Sequence, residues 1–266
     1  LNDKRVVILV GSRLHNLNTL ALFLEDKGIN VVGACIADKR TKGIDFSYLR
    51  YSIKKEGACV VFSQIFQRIL YKILNSRKDA QIHKRLFDKE KIESILSSWK
   101  GPVHYTDDFQ KPITYNWIQS QSPDLIVVHT PYWVGKKIRN LVDNNIIGGH
   151  PGVTPLYRGI HSPFWALYNN DTENVGYSIF FLDAGVDTGD VIYQGKIDIE
   201  EGDSYVTLGW KGMVEIAKNQ LKIVRNWTNG AEIPRKKHEI IPPDSNYSHP
   251  KLNDYIKYRI KKKNLR

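Results

Sequence analysis

RVVILVGSRLHNLNTLALFLEDKGINVVGACIA, residues 5–37, decides the fold. Arg5 to Val10 is a short apolar run without polar alternation, the pattern of a parallel strand buried on both faces. Gly11-Ser12 ends it. Asn18 is placed to cap a helix running to about Lys27, with Leu20, Leu22, Phe23 and Leu24 on its apolar side. Gly28 stops that helix, and Asn30 to Ala37 reads as a second strand. Strand, helix and strand in this order predict an α/β protein with a Rossmann-like, doubly wound, mostly parallel sheet. The turn Gly11-Ser12-Arg13-Leu14-His15-Asn16 lacks the Gly-x-Gly-x-x-Gly spacing of a dinucleotide site, so NAD is not expected, and His15 reads as a loop residue, with a substrate-side role as the alternative.

The alternation continues outward. Pro102 to Tyr105 reads as a strand, Asp107-Asp108 as a turn and Ile113 to Gln121 as a helix. Ser122 to His129 reads as a buried strand, Lys136 to Asn145 as a helix and Ile146-Ile147 as a strand. Between them, Asp38 to about Lys100 breaks the pattern. From Tyr48 to Leu74, Leu49, Ile53, Val60, Val61, Ile65, Ile69, Leu70 and Ile73 recur at helical spacing, with Lys54, Lys55, Arg68 and Lys72 among them. A second helical run covers Ile82 to Trp99, and Gly101-Pro102 stops it. The expectation is a helical insertion at about 41–100, packed on the sheet. Basic amphipathic helices of this kind also suit an anionic membrane surface or a homodimer. Further on, Gly176 to Leu182 reads as a strand, as does Val191 to Ile199 with a bulge at Gln194-Gly195. Glu200 to Ser204 is a turn and cap before a long helix to about Trp227. Gly230 is expected to end the core. The division is therefore 1–230 for one domain and 231–266 for a short basic C-terminal extension carrying Pro234, Pro242, Pro243 and Pro250.

The chemistry concentrates in residues 146–194. Gly148, Gly149 and Gly152 bracket His150 in what reads as a tight turn, and Pro151 fixes the chain behind it. The strand Gly176 to Leu182 can carry Asp187, in Gly185-Val186-Asp187-Thr188-Gly189-Asp190, back beside His150. A carboxylate there would fix the imidazole tautomer, and the ring could then handle a proton near neutral pH. The competing reading is a structural turn histidine with a hairpin end. Arg158-Gly159 is expected to open a helix containing Phe164, Trp165, Leu167 and Tyr168, with the aromatics in the core. Asp190 reads as a cap of the turn, with assistance to Asp187 as the alternative.

His150-Pro151, Pro155-Leu156-Tyr157-Arg158-Gly159 and Asp183 to Asp190 together resemble the folate-dependent formyltransferases, which move a formyl group from 10-formyltetrahydrofolate to an amine. The resemblance is clear over roughly residues 120–195. It implies that His150 and Asp187 take the family's histidine and aspartate roles, with 10-formyltetrahydrofolate as co-substrate and no metal. It implies that the loop Thr130 to Gly135 meets the pterin, through Tyr132, Trp133 and Val134, with Gly152, Asp183 and Gly185 also on the cofactor side; the competing reading is that Tyr132 and Trp133 only seal the sheet edge. Arg158 would hold a substrate or folate carboxylate through its planar fork, or else tie a loop. His161 is a substrate-side candidate. The family asparagine that binds the developing oxyanion falls on Gly148. Loss of one such donor costs on the order of a hundredfold to a thousandfold. A backbone N–H of the Gly148-Gly149 turn, or His161, is expected to replace it; the alternatives are that protonated His150 acts alone, or that the protein binds without catalysing.

Composition narrows the function. The chain has 266 residues, 41% of them hydrophobic, which supports a globular core. Two cysteines, Cys35 and Cys59, offer neither a disulfide framework nor a zinc site and suit the cytoplasm. Leu1 rather than Met stands first, which suggests a natural start upstream, and no signal or membrane-spanning run is visible. The net charge of +11 favours an anionic partner. Methionyl-tRNA formyltransferase carries a C-terminal β-barrel that some thirty residues cannot build, so nucleic acid is not the expected partner. The reading is formylation of a primary amine on a small anionic metabolite, a nucleotide-linked amino sugar first. The alternatives are methionyl-tRNA formylation, a non-catalytic folate- or sugar-binding homologue, and hydrolytic release of formate.

Overall fold

The computed structural model describes residues 4–38 and 46–264, without the side chains of 46–48 and 262–264. The first residues of the expected insertion, 41–45, lie outside the described residues.

The opening unit is β1 (Arg5–Gly11), α1 (Leu14–Glu25) and β2 (Asn30–Ala37). The insertion supplies α2 (Phe46–Glu56), α3 (Ala58–Leu86) and α4 (Lys89–Ser98). Then come β3 (Val103–Thr106), α5 (Pro112–Ser120), β4 (Leu125–His129), α6 (Lys136–Asn140), β5 (Ile146–His150), β6 (Arg158–Gly159) and α7 (Ser162–Tyr168). The chain closes with β7 (Gly176–Phe181), β8 (Val191–Lys196), α8 (Tyr205–Thr228), β9 (Asn246–Tyr247) and α9 (Leu252–Asn264).

Seven strands form one sheet in the order β3-β2-β1-β4-β5-β7-β8. The first five are parallel; β7 runs antiparallel to β5, and β8 to β7. The α/β class and the mostly parallel sheet read from residues 5–37 are what the structure shows. The apolar run of β1 divides by parity, as a strand buried on both faces must. Val6, Ile8 and Val10 face a cluster with Leu20 and Phe23 of α1 and Ile216 of α8. Val7 and Leu9 face Ile118 of α5 and Ile138 of α6. Strand order reverses between β1 and β4, where open α/β sheets bind ligands at the carboxyl ends of their strands.

Several boundaries move. Helix α1 begins at Leu14 instead of Asn18, and Asn16 is wholly buried within it. Gly57, at φ +88°, divides the expected Tyr48–Leu74 helix into α2 and α3. The helix after β4 stops at Asn140 because Asp143 and Asn144 take positive φ. Strand β8 ends at Lys196, and its irregularity lies opposite Ile179/Phe180, not at Gln194-Gly195. Arg158-Gly159 does not open a helix; it pairs with Asn246-Tyr247 as a two-stranded sheet.

The extension beyond Gly230 is part of the core in packing. Tyr255 is 1% exposed and joins Phe164, Tyr205 and Tyr258 in one cluster. Helix α8 starts from a capping box in which Ser204 and Thr207 satisfy each other's backbone N–H groups, an arrangement worth about 1 kcal/mol. Among the described residues, no helix is long and apolar enough to cross a membrane.

Candidate active site

His150 is the last residue of β5, and its ring is almost wholly enclosed. The expected Gly148-Gly149 turn is instead extended strand: Gly148 pairs with Phe180 and Gly149 with Ile179 across the ladder to β7. Close approach, not turning, demands the glycines. A Cβ at 148 would land on Leu182 Cδ1, and one at 149 on Ile216 Cγ2. At Gly152 it would collide with the Tyr157 carbonyl oxygen and lie 2.6 Å from His150 Nε2.

Strand β7 returns the chain antiparallel to β5, and the loop after it brings Asp187 to His150. Asp187 Oδ2 lies 3.4 Å from His150 Nδ1 and accepts from the Gly159 N–H at 3.0 Å. Asp187 holds this place at φ +53°, in the left-handed region that Asp tolerates better than most residues. The loop is pinned on both sides of it. Asp183 accepts from the Thr188 hydroxyl at 2.8 Å and from the Gly185 N–H at 3.0 Å. Arg158 Nη1 donates to the Val186 carbonyl at 3.1 Å.

The other edge of the imidazole meets a residue that sequence reasoning missed. Nε2 is 2.7 Å from Ser162 Oγ and 3.2 Å from the Tyr157 carbonyl. Asp187 neighbours Nδ1 at ion-pair distance and not in a hydrogen bond; with the proton on Nδ1, a neutral ring accepts from the Ser162 hydroxyl. A protonated ring donates to the Tyr157 carbonyl or the Ser162 oxygen. The site therefore has a partner for either protonation state. Ser162 carries no spacing signal in the sequence. A second missed group, Ser178, was legible: it is the one small polar side chain in the apolar run of β7. It is wholly buried, accepts from Thr154 N–H at 3.0 Å and Gln194 Nε2 at 2.9 Å, and donates to the Gly152 carbonyl at 2.9 Å. These bonds fix the segment that follows His150.

The remaining expected residues divide. Arg158 is buried, and its fork is engaged by the chain itself: Nε donates to Ser245 Oγ at 3.0 Å and Nη2 to the Pro242 carbonyl at 3.5 Å, besides Val186. It ties loops and does not present a free fork to a carboxylate. Val134 is buried in the core against α6, so its side chain does not line an open face. Tyr132 is half-buried, and Trp133 leaves 50% of its surface exposed on the loop leaving β4. Asp190 meets Arg235 Nη1 at 3.5 Å. His161 is not hydrogen-bonded to His150; its ring packs edge-on against Tyr205 and beside His249, each 5.2 Å away between centroids. Burial, assisted by the Arg68 charge, pushes His161 down to about 4, so it is neutral at pH 7. Burial likewise pushes His129, at the end of β4, down to about 4. Among the described residues, no group of three or more His, Cys, Asp or Glu side chains is placed to hold a metal.

A mostly parallel sheet with a His–Asp pair at its carboxyl edge makes an α/β protein with a candidate acid–base site. Residues 4–215 match the profile of the formyl transferase family, and the chain belongs to that family. It is 28% identical over 110 residues to GDP-perosamine N-formyltransferase of Brucella melitensis, covering 41% of each chain. It is 29% identical over 115 residues to methionyl-tRNA formyltransferase of Syntrophus aciditrophicus, covering 43% of this chain and 36% of that one. The matched stretches thus span about two-fifths of these curated relatives. Among solved structures, glycinamide ribonucleotide transformylase 1 from Symbiobacterium toebii superposes with a TM-score of 0.57 at 16% identity, over 88% of this chain and 92% of that one. A 4-N formyltransferase from Francisella tularensis gives 0.53 at 15% identity, over 96% and 79%. These two likenesses concern the fold.

Proposed function

We propose that this chain transfers a formyl group from 10-formyltetrahydrofolate to the primary amine of a small anionic metabolite, a nucleotide-linked amino sugar before others. The observation that carries the reading is His150 held between Asp187 and Ser162 at the carboxyl edge of the sheet. The similarity to a GDP-perosamine N-formyltransferase and the net charge of +11 support an anionic sugar nucleotide as acceptor.

The residues present fit a folate. The loop leaving β4 offers Tyr132 half-buried and Trp133 half-exposed, flat surfaces for a heterocycle. When bound, 10-formyltetrahydrofolate supplies the formyl carbon: a bond from the acceptor nitrogen forms as the bond to N10 breaks, and one proton passes from acceptor to leaving nitrogen. Managing that proton is the work assigned to His150. The Asp187 carboxylate beside Nδ1 favours the proton there, so that Nε2 receives the transferred one. Ser162 Oγ, 2.7 Å from Nε2 and itself buried, offers that nitrogen a partner in either protonation state. The Tyr157 carbonyl and the Asp187 carboxylate then stabilise the imidazolium.

Gly148 favours a second reading, binding without transfer, because Leu182 fills the space where the family carboxamide would project. Calorimetry with a folate analogue, followed by formyl transfer to pooled nucleotide-linked amino sugars and to charged initiator tRNA, separates the cases. Transfer to a sugar that is lost in His150→Ala, with folate binding kept, supports the proposal. Folate binding with no transfer to any amine sinks it in favour of the second reading, and transfer to tRNA alone replaces the acceptor.

A further inference from the structure

Helix α3 is oriented with its polar side inward. At 100° per residue, Gln64, Gln67, Tyr71 and Asn75 share one face. That face is buried and bonded: Gln67 Nε2 donates to Tyr205 Oη at 3.1 Å, and Gln64 Nε2 to the His249 carbonyl at 3.3 Å. Tyr71 donates to Ser204 Oγ at 2.7 Å, and Asn75 Nδ2 to Tyr255 Oη at 3.0 Å. These bonds lock the rotation of the helix. The opposite face carries Phe62, Phe66, Ile69 and Ile73, at intervals of four, three and four, and they are 52%, 60%, 50% and 73% exposed. The apolar periodicity that predicted inward packing for Ile69 and Ile73 therefore points to solvent, because the neighbouring helices present hydrogen-bonding groups that only the polar face can satisfy.

Charge selects what covers this stripe. Lys72 and Arg77 lie on its two borders, and Lys84 continues its line. The one acid in α3, Asp79, is buried and accepts from Ser204 Oγ at 2.9 Å. A second copy laid on the stripe would set these cations against their own counterparts, a like-charge arrangement that interfaces avoid. The stripe exposes roughly 500 Å², within the range of a functional surface patch. A lipid surface needs neither shape complementarity nor a partner acid on the protein. Helix α9, tied to α3 through Leu252 N–H on Ser63 Oγ at 3.0 Å, also exposes Ile256 and Ile260 one turn apart, with Lys257 between them.

We infer that α3 docks this protein on an anionic bilayer, lying in the interface with Phe62, Phe66, Ile69 and Ile73 among the acyl chains and Lys72 and Arg77 at the headgroups. Each basic residue near such a surface adds affinity on the order of fivefold.

The test is co-sedimentation of the whole chain with phosphatidylglycerol/phosphatidylcholine vesicles and with phosphatidylcholine alone, beside sedimentation equilibrium without lipid. The expected result is binding to the anionic vesicles only. Phe66→Gln with Ile73→Gln, and separately Lys72→Glu with Arg77→Glu, should each weaken it about tenfold or more, with unchanged unfolding midpoints. No binding by the parent protein, or equal binding by the variants, would overturn the inference. So would a lipid-free dimer dispersed by Phe66→Gln/Ile73→Gln, which would give the face to a second copy.

Discussion

Placing Asn at position 148, alone and together with Leu182→Ala, tests why Gly148 is glycine. The new Cβ would meet Leu182 Cδ1, the far end of a flexible side chain, while Phe180 Cε2 stays at an ordinary 3.9 Å. Gly148→Asn alone must push Leu182 out of its packing beside the α5/α6 cluster, an overpacking cost of about 1–3 kcal/mol. Leu182→Ala alone opens a gap at a half-buried site, about 1–2 kcal/mol, below the range for a fully buried leucine. In the double variant the carboxamide takes the vacated space, so the two changes should couple favourably by about 1 kcal/mol or more. Urea unfolding of the four proteins, followed by circular dichroism, measures that coupling. The same double variant gains a donor where the family places one, and its formyl-transfer rate should rise on the order of a hundredfold. Strictly additive stabilities would refute the reasoning, since Leu182 would then not be what excludes a larger residue.

Further outcomes follow from the same contacts. Asp187→Asn should lower turnover by about two to four orders of magnitude while near-ultraviolet circular dichroism stays unchanged, because the amide can still accept from the Gly159 N–H but cannot balance an imidazolium. Ser178→Val strands the Thr154 N–H, the Gly152 carbonyl and part of Gln194, and should cost ~3 kcal/mol or more in denaturant unfolding. His129 is pushed from 6.5 down to about 4 by burial, so the unfolded chain binds its proton first on acidification. Its contribution is complete above pH 6.5 and falls by about 1.4 kcal/mol per unit as pH drops toward 4. His129→Gln should flatten part of that acid slope in urea midpoints, and an unchanged slope would show that the ring is not the titrating group.

The strand-helix-strand start was legible because it depends on local pattern, an apolar run closed by glycine. The meeting of Asp187 with His150 was expected from a returning strand. Yet β7 leaves Ser178 opposite His150 and Phe181 opposite Ile147, so it is the loop after β7 that doubles back. What escaped the sequence depends on neighbours. Gly148-Gly149 reads as a turn, yet side chains from both sheet faces, Leu182 and Ile216, require the small residues within a strand. Arg158 offers a planar fork in any reading, and only the fold shows Ser245, Val186 and Pro242 claiming it. The outward face of α3 was invisible for the same reason. Periodicity identifies an apolar face, but the hydrogen-bonding needs of Tyr205, Ser204 and Tyr255 decide which side turns in.

Arg158 also connects two distant parts of the chain. One nitrogen grips the loop that aims Asp187, and the others grip Ser245 and Pro242 in the C-terminal extension. A protease nick or an engineered stop codon just after Gly230 would therefore do more than trim a basic end. It would loosen the acid beside His150, so any truncated version used for screening inhibitors would report on a different His–Asp arrangement.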